Sequence, residues 1–199
     1  MRGPSLDDLV RNGTMSPAIA ATLRATAQAR RSFLVFAKPR LAGKTTVQRA
    51  MLAAAPRGTP IRTIGEDGED VPTLAAAAQG GYLVIPEIAR EAAMPGYIWG
   101  EPVRQAFAAR GCSLAVVLHA DSAAEAMRIV RKGGAAAADA LRLELLVHLR
   151  SLGDDWQTPT RRVVADVHTG GARRKLLHRW DEAADRFEDV SAAAPRRRA

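Results

Sequence analysis

The apolar run Phe33-Leu34-Val35-Phe36-Ala37 leads directly into Lys38-Pro39-Arg40-Leu41-Ala42-Gly43-Lys44-Thr45-Thr46, and a helical pattern follows to about Ala55. A short, unbroken apolar run suits a strand buried on both faces of a parallel sheet. Strand, Gly-Lys-Thr turn and helix, in that order, are what a phosphate-binding loop requires. Backbone N–H groups curl around the anion and the helix N-terminus points at it. A lysine reaches the outer phosphates, and a Ser/Thr hydroxyl serves Mg2+. Gly43, Lys44 and Thr45 fill those three places, with Arg40, Leu41, Ala42 and Thr46 as the rest of the candidate binding loop. Two positions depart from G-x-x-x-x-G-K-[ST]: Lys38 stands at the first glycine, and Leu41 is not small. A positive φ at Lys38 would be costly for a residue with a side chain.

The rest of the chain repeats the strand-then-helix order. Ser16-Pro17 is a helix start, with Ile19, Ala20, Leu23 and Ala27 at helical spacing behind it. Ile61–Ile64, Tyr82–Ile85 and Leu114–Leu118 read as further strands, ended by Glu66-Asp67, Pro86-Glu87 and His119. Helices are expected over 102–109, 121–131 and 135–141. Strands alternating with helices predict an α/β fold with a mainly parallel sheet, and ionisable residues just past the strand ends mark where such sheets place ligands. In the last third, 145–149 and 163–167 flank a Gly-Asp-Asp loop and predict a β-hairpin, with further antiparallel strands over 175–180 and 187–190. The expected division is a helical lead-in (1–31), the core (32–142), a β-rich part (143–191) and a disordered basic tail (192–199) carrying Arg196-Arg197-Arg198.

At 199 residues, nearly half of them apolar, the chain has material for one good core and is not disordered overall. No apolar stretch approaches the roughly 20 residues of a membrane span, and the N-terminus lacks the apolar centre of a secretory signal. The single cysteine, Cys112, suits a reducing compartment. These features predict a cytoplasmic protein. The net charge of +8 raises a nucleic-acid reading, but no recognition motif accompanies it.

From Leu6 to about Gly170 the sequence resembles the type II/IV secretion and pilus-assembly ATPases, most closely their tight-adherence pilus branch. The stretch Asp8 to Pro17 is similar to the opening of that family's catalytic domain, and the phosphate loop follows at the family's distance. Thr63-Ile64-Gly65-Glu66-Asp67 resembles its aspartate box, Val84-Ile85-Pro86-Glu87-Ile88 its Walker B, and Leu118-His119-Ala120-Asp121-Ser122 its histidine box. The resemblance implies a RecA-like P-loop NTPase core with helices on both faces and a small antiparallel C-terminal β extension. It also implies ATP and Mg2+ as cofactors, with Lys44 and Thr45 on phosphate and metal, Glu87 supporting the metal, Glu66 positioning water and His119 sensing the γ-phosphate. The implied partners are further copies in a ring, hexameric in the family's manner, and a secretion or pilus platform protein in the inner membrane.

The chain departs from that family in its arginines. None lies between the aspartate box and Walker B, and Ala89 rather than arginine stands two residues after Glu87, with Arg90 next. Met94 to Gly100 is an aromatic insertion, and no counterpart of the family's N-terminal domain precedes Leu6. The expected function is therefore an ATP-binding, ATP-hydrolysing motor subunit. A catalytically degenerate homologue in a regulatory or structural role is the first alternative, and a basic nucleic-acid-binding protein the second.

Overall fold

The computed structural model describes residues 3–65, 70–91, 96–153, 155 and 157–190. Helix α1 (Leu6–Arg11) opens on a capping box in which Ser5 and Asp8 satisfy each other's backbone N–H. Helix α2 (Pro17–Gln28) starts where Ser16 accepts from the Ile19 N–H, and buries Ile19, Ala20, Leu23 and Ala27 along one face. Strand β1 (Phe33–Phe36) is buried on both faces and is followed by α3 (Lys44–Ala53). Then come β2 (Ile61–Thr63), α4 (Val71–Ala77), β3 (Tyr82–Ile88), α5 (Glu101–Ala108) and β4 (Ser113–Leu118). Helix α6 (Ala123–Lys132) is capped by Ser122, with Glu125 in its first turn and Arg131 and Lys132 in its last, matching the helix dipole. Short α7 (Ala137–Ala140) precedes β5 (Leu145–Leu152), β6 (Arg161–Thr169), β7 (Leu176–Asp181) and β8 (Arg186–Asp189).

The strands form one sheet in the order β2-β3-β4-β1-β5-β6-β7-β8. Strands β2 to β5 pair in parallel, and β5 to β8 antiparallel. The predicted hairpin over 145–167 is present. Its first strand also lies parallel to β1, Leu34 opposite Leu146, so the extension continues the same sheet. Alternation along β1 divides the core. Leu34 and Phe36 pack with Val71, Val103, Phe107 and Ile129 from α4, α5 and α6, while Phe33 and Val35 pack with Leu9, Leu23, Val47 and Met51 from α1 to α3. Helix α4 lies where the sequence reading placed no helix, because it is short and its apolar pattern covers under two turns.

Strand β3 runs through Pro86-Glu87 to Ile88, where the sequence reading ended it at Ile85. Ile85 faces Val116 and Ile88 faces Leu118, so one residue is extra on β3. This bulge accommodates a proline, which has no N–H for a ladder, in a strand with neighbours on both sides. It also lets Ile85 and Ile88, an odd number apart, reach the same side of the sheet.

Two close contacts of the hairpin are open to test. A Cβ on Gly170 would lie 1.6 Å from the Leu143 carbonyl oxygen, a backbone atom that cannot swing away. Gly170→Ala is expected to lose about 2 kcal/mol of stability, read as a lower midpoint in urea. His148 stacks on Phe36, with ring centroids 4.9 Å apart and planes at 5°, and its Nδ1 donates to Asp166 at 3.0 Å. That hydrogen bond, opposed by burial, holds the Asp166 carboxyl below its usual range. A carboxyl depressed on folding contributes stability above its unfolded value, and the contribution fades as pH falls through the folded one. His148→Phe keeps the stack and loses the bond. Its expected cost is about 1 kcal/mol near neutrality, shrinking toward zero in acid strong enough to protonate Asp166. A loss that stayed constant on acidification would assign the cost to packing instead.

Candidate nucleotide-binding site

Lys38 to Gly43 link the C-terminal end of β1 to the start of α3, beside the ends of β3 and β4. Gly43 is the N-cap of α3, left-handed at φ 91° and with no side-chain cap, so the first helical N–H groups are free to meet an anion. Lys38 is not left-handed, which removes the concern raised by its replacing a glycine. The demand falls instead on Leu41, at φ 59°, a conformation that costs a residue with a Cβ about 1–2 kcal/mol. Leu41 is also 56 % exposed, an unusual place for a large apolar side chain.

Three of the candidate residues converge at this loop. Lys44 is buried, at 6 % exposure, with Nζ 3.2 Å from both ring nitrogens of His119, 3.4 Å from the Pro39 carbonyl and 3.9 Å from Glu87 Oε1. Burial pulls its ammonium below the usual lysine range, Glu87 opposes that, and Arg40 adds to it. His119 sits at the end of β4 and hydrogen-bonds through Nδ1 to the Lys38 carbonyl at 2.7 Å. A carbonyl only accepts, so Nδ1 carries a proton and Nε2 faces Glu87 Oε1 at 2.6 Å. Glu87 Oε1 is buried, and neither of these neighbours gives it a well-aligned hydrogen bond. A buried carboxylate oxygen short of a donor has capacity for a cation or an ordered water.

The insertion after β3 proves to be part of the support for Glu87. Ile98 donates its N–H to the Glu87 carbonyl at 2.9 Å and accepts from Ala89 N–H at 3.0 Å, clamping the backbone on both sides of the strand end. Ile98 is itself buried in the core. The neighbouring Tyr97 turns its hydroxyl to Arg40, whose guanidinium donates to it at 3.1 Å. Met94 and Pro95 of the insertion lie outside the described residues. So do Glu66, the candidate for positioning water, and the arginines of the tail.

A cavity of about 670 Å³ opens over the loop, within the size range of small-molecule sites. Every candidate binding residue from Arg40 to Thr46 lines it, together with Glu87 and His119. Residues that sequence reasoning did not single out line it as well: Asn12 and Thr14 after α1, Tyr97, Leu149 on β5, and Thr160, Arg161 and Arg162 at the start of β6. The sequence lacks arginines where the resembled family has them, and the fold brings Arg161 and Arg162 to the cavity from the hairpin. No signal in the chain order announces this, because more than a hundred residues separate them from Leu41. The nearest hint was the Arg-Arg pair closing a Gly-Asp-Asp loop. Arg90 instead pairs with Glu125 on α6 at 2.9 Å.

No protein-family profile matches the chain, and no curated protein matches it either. Solved structures do. The VirB11 ATPase from the Brucella suis type IV secretion system superposes at a TM-score of 0.54 with 17% identity, over 81% of this chain and 54% of that one. The Legionella pneumophila ATPase DotB gives 0.56 and 14%, over 93% and 53%. This chain shares the fold of the secretion ATPases. It spans about half the length of those two structures. The fold class expected from sequence, a mainly parallel P-loop core with an antiparallel C-terminal extension, is the one observed. No helix among the described residues is long and apolar enough to cross a membrane.

Proposed function

We propose that the chain is an ATP-binding, ATP-hydrolysing subunit of a secretion or pilus-assembly motor, working as a ring in the cytoplasm or against the inner face of the membrane. The observation that carries this reading is the convergence of Lys44 from the start of α3 with Glu87 and His119 from the ends of β3 and β4 on one phosphate-type loop, in the fold of the secretion ATPases. Arg40 to Thr46 would cradle the phosphates, with the start of α3 aimed at them. Mg2+ fits the donor set: Thr45 in the first turn of α3 and the under-bonded Glu87 Oε1 both line the cavity. The ion would neutralise charge on the transferring phosphoryl group. Lys44 would meet the β- and γ-phosphates, and the anion would offset the cost of its burial. His119, fixed by the Lys38 carbonyl, would report the γ-phosphate to the loop, and Glu66 would orient the attacking water.

The test is calorimetric titration with Mg-ATP alongside steady-state phosphate release. Micromolar binding with turnover supports the motor reading. At a hundredfold excess over Kd, bound nucleotide adds about 2.7 kcal/mol to stability. For a domain of this size that is a rise in Tm of several degrees. A second reading is favoured by Leu41, left-handed at a position that suits glycine: a degenerate homologue that binds nucleotide without turning it over. Binding with no phosphate release would select it. Affinity for nucleic acid that falls steeply with salt and survives Lys44 replacement would point to the basic-protein alternative.

A further inference from the structure

The hairpin that closes the cavity carries a second bulge. Val147 faces Val167 and His148 faces Asp166, but Leu149 faces Val164, so Ala165 is extra on β6. Side chains alternate across a strand, and an inserted residue reverses which set points to each side. Without the bulge, the face of Val167 would carry Ala165, Val163 and Arg161. With it, Val164 joins Leu149 in the core beneath α1 to α3, and Arg162, two residues on, comes over the phosphate loop. There its Nε donates to the Leu41 carbonyl at 2.6 Å, and its Cδ lies 3.3 Å from where a Cβ on Gly43 would sit.

We propose that Arg162 is a positioning residue of the nucleotide site, a clamp that holds the Leu41 carbonyl outward in a loop lacking glycine at 38 and 41. A left-handed leucine on an exposed loop tends to relax to an ordinary conformation, which would rotate the flanking peptide and turn its N–H away from the anion. A charged donor on the carbonyl opposes that rotation. The bulge is what delivers the donor, so the C-terminal hairpin is mechanically joined to the phosphate loop. This rests on the reading of the loop as a nucleotide site.

The test is a double-substitution cycle read in two ways: titration with Mg-ATP, and native-state hydrogen exchange of the amides of residues 40–43 without nucleotide. Arg162→Ala is expected to weaken Mg-ATP about tenfold or more and to speed loop exchange by a similar factor. Leu41→Gly removes the conformational demand, so adding Arg162→Ala to it should cost less than about threefold in either readout. A guanidinium acting only through its charge would cost the same in both backgrounds, and that result overturns the clamp. So does unchanged loop exchange in Arg162→Ala. If the native protein binds no Mg-ATP, the nucleotide reading fails, while exchange in the four proteins still decides whether Arg162 holds the loop.

Discussion

Lys44→Met is expected to lower Mg-ATP affinity by roughly a hundredfold and, in the same protein without nucleotide, to raise stability. The first effect follows from removing the ammonium that meets the outer phosphates, a charged contact worth up to about 3 kcal/mol. The second follows from burial. Lys44 is 6 % exposed, and desolvation lowers its proton affinity in the folded chain relative to the unfolded one. A depressed lysine destabilises the folded state at every pH where the unfolded chain holds the proton and the folded one holds it less tightly. Methionine fills a similar volume with no charge to desolvate. The Glu87 carboxylate loses a neighbour in the exchange, but that neighbour is 3.9 Å away and makes no aligned hydrogen bond to it. Thermal unfolding with and without Mg-ATP checks both halves. The native protein should gain several degrees from ligand and the variant none, while the variant starts from the higher baseline. A variant that starts lower and still gains with ligand would remove Lys44 from the site.

Glu87→Gln is expected to cut phosphate release by about a hundredfold or more while leaving nucleotide binding within a few-fold of native. Losing one preorganised electrostatic group at a reacting centre commonly costs that much. Glutamine keeps the shape and the Ile98 clamp, which acts on the backbone of residue 87 and not on its side chain. What it loses is the negative charge at Oε1, the atom with no aligned hydrogen bond and hence with capacity for Mg2+. Raising Mg2+ should recover part of the lost rate if the carboxylate supports the metal directly, because mass action refills a weakened metal site. Equal rates in native and variant proteins, measured by phosphate release, would mean that Glu87 has no part in hydrolysis.

Several parts of this site were legible in the residues taken in order. Phe33 to Ala37 reads as a doubly buried strand, which β1 is, and Gly43-Lys44-Thr45 between that strand and a helix suits a phosphate. His119 and Glu87 were legible because parallel strands end where ligands bind, so position along the chain already places such residues at one rim of the sheet. The hairpin over 145–167 was legible from period and turn residues, yet not its parallel pairing with β1. Which strand neighbours which is decided by contacts between segments far apart in sequence, and local pattern carries no record of them. The role of Tyr97 and Ile98 in the insertion was likewise opaque, because a few apolar and aromatic residues do not reveal the strand end beside which they lie.

The sequence by itself determined the alternation of strands and helices, the Gly-Lys-Thr turn between β1 and α3 and the candidate residues at the strand ends, since these depend on short-range periodicity and on residue types with few other uses. Only the tertiary structure decided where the left-handed strain would fall, at Leu41 rather than Lys38, and which residues would answer it. It also decided that two single-residue bulges, one on β3 beside Glu87 and one on β6 at Ala165, would set which side chains reach the cavity. The physical reason is that one extra residue in a strand exchanges its two faces, and whether that residue is accommodated depends on the register of the neighbouring strand.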